Sequence, residues 1–410
     1  MKVRAITGFL DPGWPLEPMR ITAMAESLGA IRDALGEAGY ETQTLRLATP
    51  PPSQMDRPVL PRERPELARQ LAAECSSHGI EYANIGPALP QELEGFQVVP
   101  EVLAAAETVF CSGLYAGLPS GISLPAARAC AEAIRAASTV SPDGFANLRF
   151  AGLANVGPGS PFFPAAYHDG GPAAVGLATE SADLAVESFR NAASLGAARR
   201  QLVSSIETNA AALTRAAEPA ADAHNVRFLG IDFSPAPFPE PERSVGTALE
   251  LLGVPALGLA GSAAAAAFLT DCLNQAQFQR TGFCGLMLPV LEDSILALRA
   301  AEGRLGLTEL LLMSTLCGCG LDTIPLPGEV SSDSLAALLI DLGALALRHN
   351  KPLTARLMPI PGKSAGDPIH FDFPYFADSR VMKLPAMPLT DLLASSDPLE
   401  LTPRPQLRDS

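Results

Sequence analysis

From Val3 to Met358 the chain alternates short apolar runs of strand length with longer stretches of helical periodicity, and this alternation restricts the fold more than any other feature. Parallel strands cannot be joined by a tight turn. Their connection needs a dozen or more residues, usually a helix, so successive βα units specify a parallel or mixed sheet covered by helices. The strand pattern begins at residues 3–8, and a helical pattern at 19–38 leads to a second run at 42–47. A helix at 64–77 stops at His78-Gly79 ahead of the run 80–86, glycine being the residue that ends a helix at least cost. Runs at 109–111, 148–156, 173–179 and 226–234 continue the series, with helical patterns at 124–137, through 215, and at 244–252, 262–278 and 335–349. The proline-dense turn 235–241 is the best candidate for a linker, but the alternation persists on both sides of it and no Ser/Gly tract separates two compositions. It therefore reads as a rigid loop within one domain. Pattern alone does not choose between an open sheet and a barrel, although at least nine strand candidates suffice for barrel closure. The expected organisation is one α/β domain over residues 1–385 and an irregular, proline-rich tail over 386–410.

Charge narrows the function. A net charge of −15, with no basic stripe to neutralise phosphates, excludes nucleic acid and anionic membrane surfaces as partners. The uncharged stretch 251–270 contains Pro255, three glycines and mostly alanine, so a buried loop and helix is expected there rather than a membrane span. Met1-Lys-Val-Arg-Ala-Ile enters a strand pattern without the apolar core of a signal peptide, which predicts a cytoplasmic protein. The seven scattered cysteines then read as reduced thiols. A small-molecule ligand is the expected partner, and a homo-oligomer is compatible with the sequence.

Several apolar runs end on a lone polar residue, the arrangement that a pocket at the open end of an α/β sheet requires. Asp232 closes the run 226–231 and is followed by Ser234 and the proline turn. Its carboxylate suits a general base or a hydroxyl-binding group, and equally an Asx turn that shapes the loop. Glu292-Asp293 precedes an apolar helical stretch, where acidic groups complement the helix dipole. With Asp232 and Asp322 they could instead supply oxygen ligands to a divalent metal, although no spacing establishes such a set. Lys363, between Gly362 and Gly366, suits a small carboxylate or phosphate, while the phosphate-loop pattern is not matched. Cys111 begins a glycine-rich loop and is a candidate nucleophile whose commoner alternative is an inert buried thiol. Cys317 and Cys319 have strand spacing but lack a second ligand pair for a tetrahedral metal site. His168 is the candidate for proton transfer near neutral pH, or else a hydrogen-bonded structural residue. No Gly-x-Gly-x-x-Gly follows a strand, so neither a nicotinamide nor a flavin cofactor is expected.

Taken in order, Arg4-Ala-Ile-Thr7, Cys111-Ser112, Asn155 with Pro161-Phe and His168, and Gly230-Ile-Asp232-Phe-Ser resemble the prokaryotic family called domain of unknown function 711. Pro289-Val-Leu-Glu292-Asp293, residues 317–327, Gly362 to Asp367 and Val381-Met-Lys383 continue the collinear series. The resemblance implies a fold similar to the ten-stranded α/β barrel of glycyl radical enzymes, helices outside, with no established reaction. The chain has no glycine after Gly366, which rules out a C-terminal glycyl radical. It also departs from the family pattern at Cys111-Ser-Gly-Leu-Tyr115, at Leu177-Ala-Thr-Glu180-Ser181 and around Asp372-Phe373, so its ligand need not be that of closer relatives. The resulting expectation is a non-radical acid/base enzyme, an isomerase, lyase or hydrolase, acting on a small anionic or hydroxylated metabolite. Asp232, His168 and Cys111 would carry the chemistry, and Lys363, Asp322, Asn155 and Ser234 would hold polar groups. The alternative is a non-catalytic binding or assembly protein on a degenerate barrel. Convergence of these side chains on one cavity would favour the enzyme.

Overall fold

The computed structural model of the protein describes residues 1–316 and 319–405, so Cys317 and the end of the tail lie outside the described residues. Its strands are β1 (Lys2–Phe9), β2 (Leu45–Ala48), β3 (Tyr82–Ala88), β4 (Val109–Gly117), β5 (Gly121–Ser123), β6 (Phe150–Ala154), β7 (Ala174–Glu180), β8 (Arg227–Asp232), β9 (Gly320–Pro327) and β10 (Leu353–Ile360). The principal ladder runs β8-β7-β1-β2-β3-β4-β6-β10-β9, with β5 paired to β4 beside it. Pairing is parallel from β1 through β4 to β6, between β7 and β8, and between β9 and β10. It is antiparallel at two seams, β1 with β7 and β6 with β10.

The ladder ends at β8 and β9 and does not continue through a tenth regular strand. Residues 280–289 lie between these two ends, bridging in parallel from Arg280 to Ile231 and from Pro289 to Asp322. Regular pairing is lost between the bridges because the backbone there turns through positive φ at Gly282 and Cys284. Asp232 fastens this irregular segment to the end of β8. Its fully buried carboxylate accepts from the amides of Phe283 (2.7 Å) and Cys284 (2.9 Å), and from the amide (3.1 Å) and hydroxyl (2.6 Å) of Ser234. The Ser234 hydroxyl in turn accepts from the amide of Gly285.

Helices cover one face of the sheet. The helix Pro18–Glu37 starts on a proline, whose fixed φ suits a first turn, and stops ahead of Gly39 at φ +88°. Ile21, Met24, Leu28, Ile31 and Leu35 recur along it at the helical repeat and join Val3 and Ile6 in the main core. The other strand face is concave. Side chains from strands far apart in the ladder meet across it, Ala5 and Ala178 with Phe162, Met287 and Cys319. The loop following β6 packs into this concavity, where Thr7 donates to the Pro161 carbonyl and Asn84 to those of Pro164 and Ala166. Beyond residue 385 the chain is mostly irregular but docked. Pro398–Leu399 pairs with β5, and Arg128 and Arg348 donate to the carbonyls of Ser395 and Thr402. Among the described residues, no helix is long and apolar enough to cross a membrane.

Replacing Asp232 by Ala strips three buried amides and a hydroxyl of their acceptor. We expect urea unfolding to show a loss of about 3 kcal/mol or more, from the cost of buried unsatisfied donors. A variant as stable as the wild type would show that this carboxylate does not fasten the 280–289 segment.

Candidate functional site

Most concave-face residues are apolar, but β1, β2, β9 and β10 each put a charge there. Arg4 stands at a bulge in β1, where pairing with β7 shifts between Val3 and Ala5. Asp322 stands at a corresponding shift in β9, next to Thr323, whose φ is +44°. A bulge turns a side chain away from strict alternation, and positive φ in a β-branched residue is a strained backbone of the kind that gathers at functional sites. Arg46 and Arg356 need no bulge. Each lies between two outward-facing apolar neighbours, Leu45 and Leu47 for the first, Ala355 and Leu357 for the second, so alternation alone directs it inward.

These groups line a cavity of about 520 Å³. Aromatic residues form much of its wall, among them Tyr82, Phe110, Phe163, Phe283, Phe373 and Tyr375. It reaches the surface beside Ala104 and Glu107, which are exposed. At its centre Glu292 bridges two arginines, taking Arg4 Nη2 on Oε2 (2.6 Å) and Arg356 Nη2 on Oε1 (2.7 Å). Arg356 also grips Asp322 with Nε on Oδ1 (2.5 Å) and Nη2 on Oδ2 (3.0 Å). Arg4 reaches Glu180 at 3.0 Å, and Glu180 is held as well by Gln43 and Arg243. Burial raises the proton affinity of Asp322 above that of an ordinary aspartate, Glu292 adds to the rise, and Arg356 opposes it. Burial alone would weaken the Arg356 cation, but Asp322 and Glu292 together hold it firmly charged.

Arg46 is paired with no carboxylate among the described residues. Its Nε donates to the Thr44 hydroxyl (2.9 Å), and its guanidinium stands 5.2 Å from the Phe163 ring centre and 5.9 Å from that of Tyr82. Burial, reinforced by Arg4 and Arg356, pushes its pKa down to about 10. Arg149 also lines the cavity, but one terminal nitrogen is spent on the carbonyls of Leu103, Ala106 and Val109.

Of the residues singled out by sequence, Asp322 and Glu292 enter this cavity, and Cys319 lines it. The rest do not converge there. Asp232 and Ser234 fasten the 280–289 segment, as described above. Asp293 points away from Glu292 and caps the helix Ser294–Ala301, accepting from the amides of Ile295, Leu296 and Gly246 and from the Ser244 hydroxyl. The two carboxylates therefore do not share a ligand, and no cluster of three His, Cys, Asp or Glu suited to a metal occurs among the described residues. Cys111 faces the helices, and burial pushes its thiol up to about 12, against any ready thiolate. Asn155 adopts φ +56° and accepts from the Leu118 amide while donating to Asn350. Lys363 lies in the turn after β10, where its carbonyl accepts from Gly328. His168 sits apart from the cavity and is held neutral, with Nδ1 accepting from Gly170 and Nε2 donating to the Pro172 carbonyl. Arg4, Arg46, Glu180 and Arg356 were not singled out as site residues. Their signal is a single charge inside an apolar strand run.

These features define an α/β protein with a mixed sheet and a charge-lined, aromatic-walled cavity. The chain belongs to the family described as Uncharacterised ACR (DUF711), whose profile matches residues 1–377. It is 32% identical over 355 residues to a UPF0210 protein of Pyrobaculum aerophilum, an alignment covering 82% of this chain and 78% of that one. A UPF0210 protein of Oleidesulfovibrio alaskensis is 29% identical over 393 residues, covering 89% and 84% respectively. One of Clostridium perfringens is 29% identical over 294 residues, covering 68% and 64%.

Two outcomes are expected. Glu292→Ala leaves two buried guanidinium groups short of a partner, so stability should fall by about 3–5 kcal/mol in chemical denaturation. An unchanged midpoint would remove Glu292 from its bridging role. Burial holds the pKa of His168 below its usual 6.5, so between those values the folded chain binds fewer protons than the unfolded one. The stability that His168 contributes is therefore complete above pH 6.5 and is lost as the pH falls towards the folded value. Thermal unfolding of wild type and His168→Gln across pH 7.5–5 should show the wild type declining more steeply below about 6.5. Parallel curves would mean that His168 is not buried as a neutral ring.

Proposed function

We propose that the protein is an enzyme that acts on a small anionic or hydroxylated metabolite in this cavity by proton transfer, without radical chemistry. The observation that carries the reading is Asp322: a carboxyl group of raised proton affinity, beside a strained backbone, facing the cavity. A base of this kind needs its pKa moved towards the operating pH and its orientation fixed, and burial and Arg356 serve these two needs. Asp322 would remove a proton from a carbon or hydroxyl of the bound metabolite and return it to a neighbouring atom. Arg356 would turn towards the negative charge that develops on the substrate oxygen, and Arg4 would add to the positive potential there. Glu292 keeps both arginines in place. Isomerisation and elimination of a small acid need only these parts.

We also read residues 280–289 as the tenth stave of a barrel similar to that of glycyl radical enzymes, with helices outside. The two parallel bridges of this segment and the two blocks of parallel strands support the reading. The second functional reading is ligand binding without turnover, which the occupation of both Asp322 oxygens by Arg356 favours.

Solvent-deuterium exchange into a panel of small hydroxy and keto acids, followed by NMR, separates the two. The enzyme reading expects exchange at one substrate carbon that falls about 100-fold or more in Asp322→Asn, the usual scale for losing a general base. Exchange that survives in that variant sinks the assignment, and binding without exchange across the panel favours the second reading.

A further inference from the structure

Most charges in and around the cavity are matched. Arg4, Arg243 and Arg356 engage Glu180, Glu292 and Asp322, and each of these carboxylates touches at least one guanidinium. Arg149 is offset by Glu107 at the cavity mouth, and adding Arg46 makes five guanidinium groups against four carboxylates, an excess of one positive charge. Its two terminal nitrogens meet no hydrogen-bond acceptor among the described residues, and only Nε is used, on Thr44. Arg46 is half-buried on the cavity wall, and a cation partly withdrawn from water without a counter-charge is costly to keep unless a ligand completes it.

Resting on the reading of the cavity as the ligand site, we propose that Arg46 is the anchor for an organic monocarboxylate carried on an apolar or aromatic body. Three observations set that class. The planar fork of Arg46 offers two parallel donors, the geometry that matches a carboxylate. The excess is a single charge, which one carboxylate cancels, whereas a phosphate dianion would leave negative charge uncompensated among apolar walls. Around the fork, Tyr82, Phe110 and Phe163 stand edge to face, with ring centres 5.5 and 5.4 Å apart, a surface for a ring or a short alkyl chain rather than for a sugar. The cavity volume lies within the range of ordinary metabolite sites. Arg46 holds the ligand and takes no part in proton transfer, so it is a binding residue distinct from Asp322.

The test is calorimetric titration and thermal shift of the purified protein with benzoate, 3-phenylpropionate and hexanoate, against benzamide and inorganic phosphate. Wild type should bind at least one of the carboxylates and neither control, and Arg46→Met should weaken that binding about ten- to hundredfold. Without ligand, Arg46→Met should melt at or above the wild-type temperature, because an apolar side chain of similar length replaces a half-buried cation without a counter-charge. That second readout also shows that the variant is folded. Equal binding of benzoate and benzamide, preference for phosphate, carboxylate affinity unchanged in Arg46→Met, or no carboxylate bound at all would overturn the proposal. Asp322→Asn separates this result from the enzyme reading: carboxylate binding that depends on Arg46 in a protein showing no proton exchange keeps the anchor and discards the catalysis.

Discussion

The shape of the concave face depends on one carboxylate. In the ladder β1 and β10 are separated by β2, β3, β4 and β6, yet Glu292 touches an arginine from each. A buried carboxylate is expensive to desolvate, and the cost is offset here because each oxygen has its own guanidinium. The price of moving either strand is therefore an uncompensated charge, which fixes the roll of the sheet at the point where its regular ladder is interrupted. Glu292 is itself positioned from both sides. Just before it Pro289 bridges to Asp322, and just after it Asp293 is locked by four hydrogen bonds at a helix start. A group held this firmly can preorganise its partners, as a binding or catalytic cavity requires.

The same region concentrates features that lower stability. Thr323 holds a backbone angle that β-branched residues avoid, Arg46 is half-buried without a paired carboxylate among the described residues, and the cavity leaves its lining short of packing partners. Other parts of the chain show ordinary local signals, among them caps at Ser123, Ser194, Ser244 and Ser331.

The strands and helices were legible because their signals are local. The apolar run of β1 and the spacing of Ile21, Met24, Leu28, Ile31 and Leu35 are visible in any short window. Asp293 was legible too, as an acidic residue opening a helix. Asp232 was read as either a base or a turn-former, and its bonds in the fold are those of a turn-former. The cavity was not legible, because its charges come from residues 4, 46, 107, 149, 292, 322 and 356 and meet only in the folded sheet. Each arginine looks like an ordinary interruption of a strand, and nothing local distinguishes an inward charge from one at an edge. The place of residues 280–289 was obscured for the opposite reason. Gly282, Cys284 and Gly285 break the strand pattern, and its place is marked by single bridges and by Asp232 rather than by periodicity.

The network also separates a carboxylate that can change its protonation from one that cannot without harm. A proton placed on Glu292 would weaken its hold on Arg4 and Arg356 together, and with it the link between β1 and β10. A proton placed on Asp322 releases only one side of Arg356, which stays anchored to Glu292. Burial already favours that proton on Asp322, while the arginine remains cationic. Charge can thus change at Asp322 while the frame that positions it stays intact, and a freed edge of Arg356 then faces the cavity. That asymmetry follows from connectivity alone: Glu292 has two guanidinium partners on two strands, and Asp322 has one on the strand beside it.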